Sequence, residues 1–170
     1  MDVTIIKGDI VEQDVDAVVN AANSGLMGGG GVDGAILRAG GAAQREARRS
    51  LVERIGSLPT GQAAACDAGA MRARWVIHVV GPVYKNSEGR THLLESCYRQ
   101  ALFVADHLGA RSVAFPAVSA GIYGWPLADA ADVAVRTVLA SSTNVGEARF
   151  VLFSDEALAQ FQRAFDENRP

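Results

Sequence analysis

Two stretches of this 170-residue sequence concentrate residues able to grip a ligand. The first runs from Asn20 through Asn23 to Asp33 and holds Gly28, Gly29, Gly30 and Gly31 in succession. Such a run costs roughly 0.5–1 kcal/mol per glycine relative to alanine in regular structure, so it persists where the backbone needs positive φ or must approach a ligand. A flexible turn is the simpler reading of glycine alone. The flanking asparagines, the aspartate and a helix opening directly behind them favour a binding loop. The second stretch is Ser119-Ala120-Gly121-Ile122-Tyr123-Gly124, between a strand signal and a helix that begins near Pro126, a residue suited to a first helical turn. Small residues leave backbone N–H groups free to face an anion, and the helix end adds a favourable dipole. On one crevice the two loops would make a pyrophosphate cradle; a plain tight turn is the alternative for the second.

Other chemistries fit poorly. Gly29, Gly31 and Gly34 satisfy the G-x-G-x-x-G dinucleotide fingerprint, but they lie well past the preceding strand, and Glu53 falls in a helix rather than at a strand tip. That excludes Rossmann binding. No G-x-x-x-x-G-K-[ST] is present, and Ala117-Val118-Ser119-Ala120-Gly121 is one glycine short of a nucleophile elbow. His92 and His107 lie in or beside a helix with no evident partner, which argues against a Ser-His-Asp hydrolase. His78 sits in an apolar strand and reads as a hydrogen-bonded core histidine in preference to a base. Cys66 and Cys97 read as reduced core thiols, and no His, Cys and carboxylate grouping has metal-ligand spacing. Neither metal nor cofactor is expected.

The elements that must position these loops follow from periodicity. Strand signals cover residues 3–7 and 16–21, then helical patterns 34–39 and 42–55. Strands return at 62–67 and 75–80, the latter apolar on both faces, as suits a strand covered from both sides. A long helix over 93–108 places Leu94, Cys97, Tyr98, Ala101, Leu102 and Ala105 on one face. A strand at 112–117, a helix at 127–140, a strand at 149–153 and a helix at 156–167 close the chain. This alternation predicts a three-layer α/β/α sandwich with a central mixed, largely parallel sheet. No linker or repeat divides the chain, so residues 1–170 read as one domain. Ligands in such sheets bind beyond the carboxyl ends of the strands, which adds Gly8–Ile10 and Phe153–Asp155 to the two loops.

Composition narrows the partners. Nearly half the residues are apolar, 49%, with net charge −3 and a pI near 5.6. The chain is globular rather than disordered, and its acidic balance disfavours a nucleic-acid partner. The densest basic group, Arg45, Arg48, Arg49 and Arg54, is interrupted by Glu46 and Glu53 and reads as a solvated helix face. The first residues carry no charged leader followed by an apolar stretch, and no apolar run approaches the ~20 residues of a membrane span. The expectation is a cytoplasmic protein without a membrane anchor, monomeric because no long apolar stripe is left over once the core is assigned.

These motifs together resemble the macrodomain signature. Gly8-Asp9-Ile10, Val19-Asn20-Ala21-Ala22-Asn23-Ser24, Val32-Asp33-Gly34-Ala35-Ile36, His78-Val79-Val80-Gly81-Pro82 and Ser119–Gly124 occur in the family's order across the chain. Within the family, the glycine loop followed by valine and aspartate most resembles the MacroD-type hydrolases. The resemblance implies that Asp9, with Ile10 beside it, binds the adenine amino group and that Phe153 stacks on or flanks the adenine. Ser119, Ala120, Gly121, Ile122, Tyr123 and Gly124 would hold the diphosphate, with Tyr123 closing over the distal ribose. Asn20, Asn23, the glycines Gly28, Gly29, Gly30 and Gly31, and Val32 would surround that ribose. Asp33 and Asn23 would carry catalysis, Asp33 by orienting or deprotonating water near the anomeric carbon. The alternative for Asp33 is a helix N-cap, and one residue can do both.

The implied activity is removal of mono-ADP-ribose from ester-linked glutamate or aspartate acceptors on proteins, with O-acetyl-ADP-ribose as a further ester substrate. The alternative is a non-catalytic reader that binds ADP-ribose or ADP-ribosylated proteins. A DNA-linked substrate is disfavoured because it would reward a basic rim. Two residues depart from the pattern. Leu37 stands where many MacroD-like sequences carry histidine, and Trp125 where phenylalanine or tyrosine is usual.

Overall fold

Valine, isoleucine and alanine make up most of the strand segments, and these assemble into one six-stranded sheet in the computed structural model, which describes residues 1–85 and 89–170. The strands are β1 (Asp2–Lys7), β2 (Ala17–Ala21), β3 (Ala63–Asp67), β4 (Trp75–Val79), β5 (Ser112–Phe115) and β6 (Glu147–Leu152). Their order is β1-β6-β5-β2-β4-β3. Every neighbouring pair is parallel except β3–β4. The helices are α1 (Gly31–Ile55), α2 (Thr91–Leu108), α3 (Leu127–Ala140) and α4 (Asp155–Asn168). The mixed sandwich expected from the alternation is the fold. A 3-10 turn at Ile10–Glu12 had no counterpart in the sequence reading, and the other predicted elements end within three residues of the observed ones.

The two-residue period of a strand divides the side chains between two cores. Ala17, Val19, Ile77, Val79, Val113, Phe115, Ala148, Phe150 and Leu152 pack with α2, α3 and α4. There Phe150 meets the rings of Tyr98, Phe115 and Phe161 at centroid distances of 6.2, 5.6 and 5.3 Å. Val18, Val76, Ala114 and Val151 face the other way and pack with Ile36 of α1. Asn20 and His78 each lie two residues beyond a valine of this second set, so both point toward α1.

Helix α1 is two helical segments. Gly41 interrupts it at φ 66° and ψ −155°, a combination open essentially to glycine alone. The break falls where the sequence pattern divides 34–39 from 42–55, while the helix begins three residues earlier, at Gly31. At the far end of the chain, Ser154 caps α4 by accepting a hydrogen bond from the Ala157 N–H at 3.1 Å. Ser154→Ala is expected to cost about 1 kcal/mol, read as a lower urea midpoint at unchanged slope. No helix among the described residues is long and apolar enough to cross a membrane.

Candidate functional site

Five parallel strands end on the same edge of the sheet, so the segments after β1, β2, β4, β5 and β6 converge there, as a crevice beyond strand C-termini requires. After β1, Asp9 is exposed and accepts a hydrogen bond from the Val11 N–H at 3.1 Å, which caps the 3-10 turn. Ile10 beside it is buried in the core on the α1 side. After β6, Phe153 stands 91% exposed. An aromatic ring held in solvent at a strand end is free to stack on a planar ligand.

The loop after β5 is anchored from below. The buried Tyr98 hydroxyl accepts from the Val118 N–H at 3.2 Å and donates to the Pro116 carbonyl at 3.4 Å. Trp125 is buried, donates its indole N–H to the Pro82 carbonyl at 3.0 Å, and meets Tyr84 edge-on at 5.3 Å. The departure at Trp125 therefore ties this loop to the segment after β4. Tyr84 N–H donates to the Tyr123 carbonyl at 2.8 Å, and a Cβ on Gly81 would lie 2.1 Å from Ser119 Oγ. Ser119 itself holds φ 66°, a left-handed value unusual for serine. Among the described residues, the N–H groups of Gly121, Ile122 and Tyr123 make no backbone hydrogen bond. They remain available to an anion.

The loop after β2 is stapled by Asn23. Its amide donates to the Gly28 carbonyl at 3.0 Å and accepts from the Met27 N–H at 3.3 Å. Gly28 adopts φ 91°, and a Cβ there would meet Leu37 Cδ1 at 2.8 Å. Leu37, the departure noted above, thus packs under the glycine loop. The cap of α1 is Gly30, without a side-chain bond, and Asp33 is the helix's third residue. The N-cap alternative for Asp33 is therefore corrected: one carboxylate oxygen turns inward, away from the free N–H groups of the first turn.

Asp33 is 4% exposed, and its Oδ1 accepts from Asn20 Nδ2 at 3.0 Å and from Arg48 Nη1 at 2.5 Å. Arg48 Nη2 donates to Gln44 Oε1 at 3.1 Å, and Gln44 Nε2 donates to Cys66 Sγ at 3.3 Å. Cys66 Sγ lies 3.2 Å from His78 Nε2, and His78 Nδ1 lies 3.0 Å from Asn20 Nδ2. Six buried side chains close a ring. Asp33 offers Oδ1 only as an acceptor, so Asn20 must present its amide nitrogen, and its second hydrogen goes to His78 Nδ1. His78 then carries its proton on Nε2 and donates to Cys66. Burial, with the nearby Arg48 charge, lowers the His78 pKa to about 3, in keeping with a neutral ring. Burial also pushes the Cys66 thiol up to about 11, so this cysteine is no nucleophile.

The ring corrects one sequence expectation. Arg48 does not belong to a solvated face: it is 4% exposed, whereas Arg45, Arg49 and Arg54 are exposed. Gln44, Arg48 and Leu51 form the buried stripe of the second segment of the helix, and their spacing of four and three is the signal that identifies Arg48 and Gln44. Asn20, fully buried, bears on the crevice through Asp33. The helix break matters here. Fifteen residues of straight helix would separate Asp33 from Arg48 by about 22 Å, so their contact depends on the turn at Gly41.

Comparison with known proteins follows the same lines. A family model described as Macro domain matches residues 19–134. A Macro domain-containing protein of Streptomyces griseus is 57% identical over 165 residues, covering 94% of this chain and 92% of that protein. The O-acetyl-ADP-ribose deacetylase of Salmonella typhimurium is 46% identical over 163 residues, covering 94% of this chain and 91% of that enzyme. Among solved structures, a mutant of the Oceanobacillus iheyensis macrodomain with ADPR superposes with a TM-score of 0.91 at 35% identity, over 96% of this chain and 91% of that one.

Proposed function

Because the chain belongs to the Macro domain family, we propose that it binds ADP-ribose along this crevice and hydrolyses esters of the distal ribose. The substrates would be O-acetyl-ADP-ribose and mono-ADP-ribose carried on glutamate or aspartate side chains of proteins. The observation that carries this reading is the divided Asp33 carboxylate. Oδ1 is held from beneath by Asn20 and Arg48, while Oδ2 faces the glycine loop, 3.9 Å from where a Cβ on Gly29 would sit. A carboxylate fixed in this way beside a loop of bare backbone suits orientation of a water molecule. The named activity of the Salmonella relative supports the ester as the bond attacked.

In this reading the adenine lies between Asp9 and Phe153, and the N–H groups of Gly121, Ile122 and Tyr123 meet the diphosphate. The distal ribose reaches the loop that Asn23 staples, with Tyr123 above it. Water is consumed, the ester becomes a ribose hydroxyl and a carboxylate, and Asp33 Oδ2 takes the proton that attack releases. The substrate's phosphate, folded back over the ribose, can share that proton.

The test supplies purified protein with O-acetyl-ADP-ribose and with a glutamate-linked mono-ADP-ribosylated peptide, following acetate and free ADP-ribose. Release from either supports the hydrolase. ADP-ribose binding by calorimetry without turnover of either substrate would identify a reader module, and absence of binding would sink the reading altogether. Phe153→Ala tests the adenine end. The side chain is solvent-exposed, so thermal stability should stay the same while ADP-ribose affinity falls about 3- to 10-fold. Wild-type affinity would remove Phe153 from the site.

A further inference from the structure

Resting on that reading, we propose that Arg48 is a positioning residue for the hydrolysis: it clamps Asp33 Oδ1 from the core and thereby keeps Oδ2 directed at the glycine loop. Three observations carry this. Arg48 holds Asp33 Oδ1 with Nη1 and Gln44 with Nη2, so the second contact fixes the planar guanidinium and gives its single bond to the carboxylate a set direction, beside the bond from Asn20. Gln44 is in turn fixed by Cys66 Sγ and by the Asp67 carbonyl at 3.4 Å, which anchors the clamp to β3. The arrangement is also poor as a device for stability. Among the described residues, Arg48 Nε and Asn20 Oδ1 are buried without a hydrogen-bond partner, and apolar side chains of like volume commonly serve a core as well as or better than a buried ion pair. What the pair does supply is orientation.

Arg48 lies on the core side of the carboxylate and acts through Asp33, so its loss should be felt in turnover and not in ligand binding. Arg48→Met is expected to lower kcat for O-acetyl-ADP-ribose by about 10- to 100-fold, as displacement of a reacting group by an ångström does. ADP-ribose Kd, by calorimetry, should stay within about 3-fold of wild type. In an Asp33→Asn background, Arg48→Met should lower kcat no further, because the two residues act as one unit. Should Arg48→Met fail to fold, Arg48→Lys serves instead. It keeps the charge but cannot reach both partners, and kcat should fall several-fold at unchanged Kd.

A folded Arg48→Met or Arg48→Lys protein with wild-type kcat would overturn the proposal. So would kcat and affinity falling by equal factors, or an undiminished effect of Arg48→Met in the Asp33→Asn background. A wild-type protein that binds ADP-ribose but turns over neither ester would instead refute the hydrolase reading. The two failures are told apart by the wild-type assay.

Discussion

Asp33→Ala should lose turnover and stability together. The proposed proton acceptor disappears, which lowers kcat by about 100-fold or more. The same substitution strands Arg48 as an uncompensated buried cation, and breaking a buried pair from one side costs about 3–5 kcal/mol. An inactive Asp33→Ala protein would therefore be ambiguous by itself. Asp33→Asn separates the two effects: it keeps an oxygen for the Arg48 and Asn20 donors but cannot take a proton. It should fold with a smaller loss of stability and still show the kcat defect. The checks are urea unfolding of both variants and turnover of the folded fraction. If Asp33→Ala unfolds within about 1 kcal/mol of wild type, the Arg48 pair does not persist in solution. Should Asp33→Asn hydrolyse at the wild-type rate, Asp33 has no part in the reaction.

Acid should unfold the protein early, and His78 is the reason. Its pKa is held near 3 in the fold against an ordinary value of 6.5, with burial as the principal cause. The unfolded chain binds a proton at this residue below about pH 6.5 and the folded chain does not. The sign follows: His78 contributes stability in full above the unfolded value, and that contribution is lost as pH falls toward 3. The slope approaches about 1.4 kcal/mol per pH unit. Glu147 acts lower on the scale. Its hydrogen bond from Arg149 holds its pKa below the ordinary 4.5, so its contribution is lost only beneath that value. Urea midpoints measured between pH 6.5 and 5 thus isolate the histidine. His78→Gln should flatten the dependence in that window by close to one proton, whatever it does to stability at neutral pH. An unchanged slope in the variant would mean that His78 is solvated or already protonated in the fold.

The parts of the molecule governed by short-range pattern were legible from the sequence. Strand β4 reads as doubly covered because Val76, Ile77 and Val79 leave no polar face, and it is buried from both sides. The break in α1 is visible as Gly40-Gly41 between two helical patterns, and both glycine loops fall where strand ends must bring them. Phe153 is legible as the aromatic that ends the 149–153 strand signal; the strand stops at Leu152 and the ring stands exposed just beyond it. The apolar strand around His78 marks it as a hydrogen-bonded core residue, and it is one. The buried ring was not legible as a whole. Arg48 sits among Arg45, Glu46 and Arg49, and local charge density outweighs its place on the stripe with Gln44 and Leu51. Its partner lies across a helix break, where periodicity within one segment says nothing about what the next segment meets. The N-cap alternative for Asp33 failed for a related reason: the helix starts earlier, at a glycine with no side chain to announce it.

Gly41 gives the site a dependence on handedness. Its φ of 66° and ψ of −155° are close to the mirror image of an ordinary extended residue, so the chain at this point follows the path of a D-amino acid. Ribosomal synthesis offers only L-residues and one achiral one, and glycine is the residue that can take this step without the cost of about 1–3 kcal/mol that such backbone strain carries. The Asp33–Arg48 pair, and the carboxylate it orients, are therefore assembled across a single stereochemical inversion in the main chain. The methyl of an alanine at position 41 would meet no atom of the described residues within 4 Å beyond its chain neighbours and the helix's own backbone. It would act only by disfavouring the inversion, and so would reach the chemistry from a position that contacts none of it.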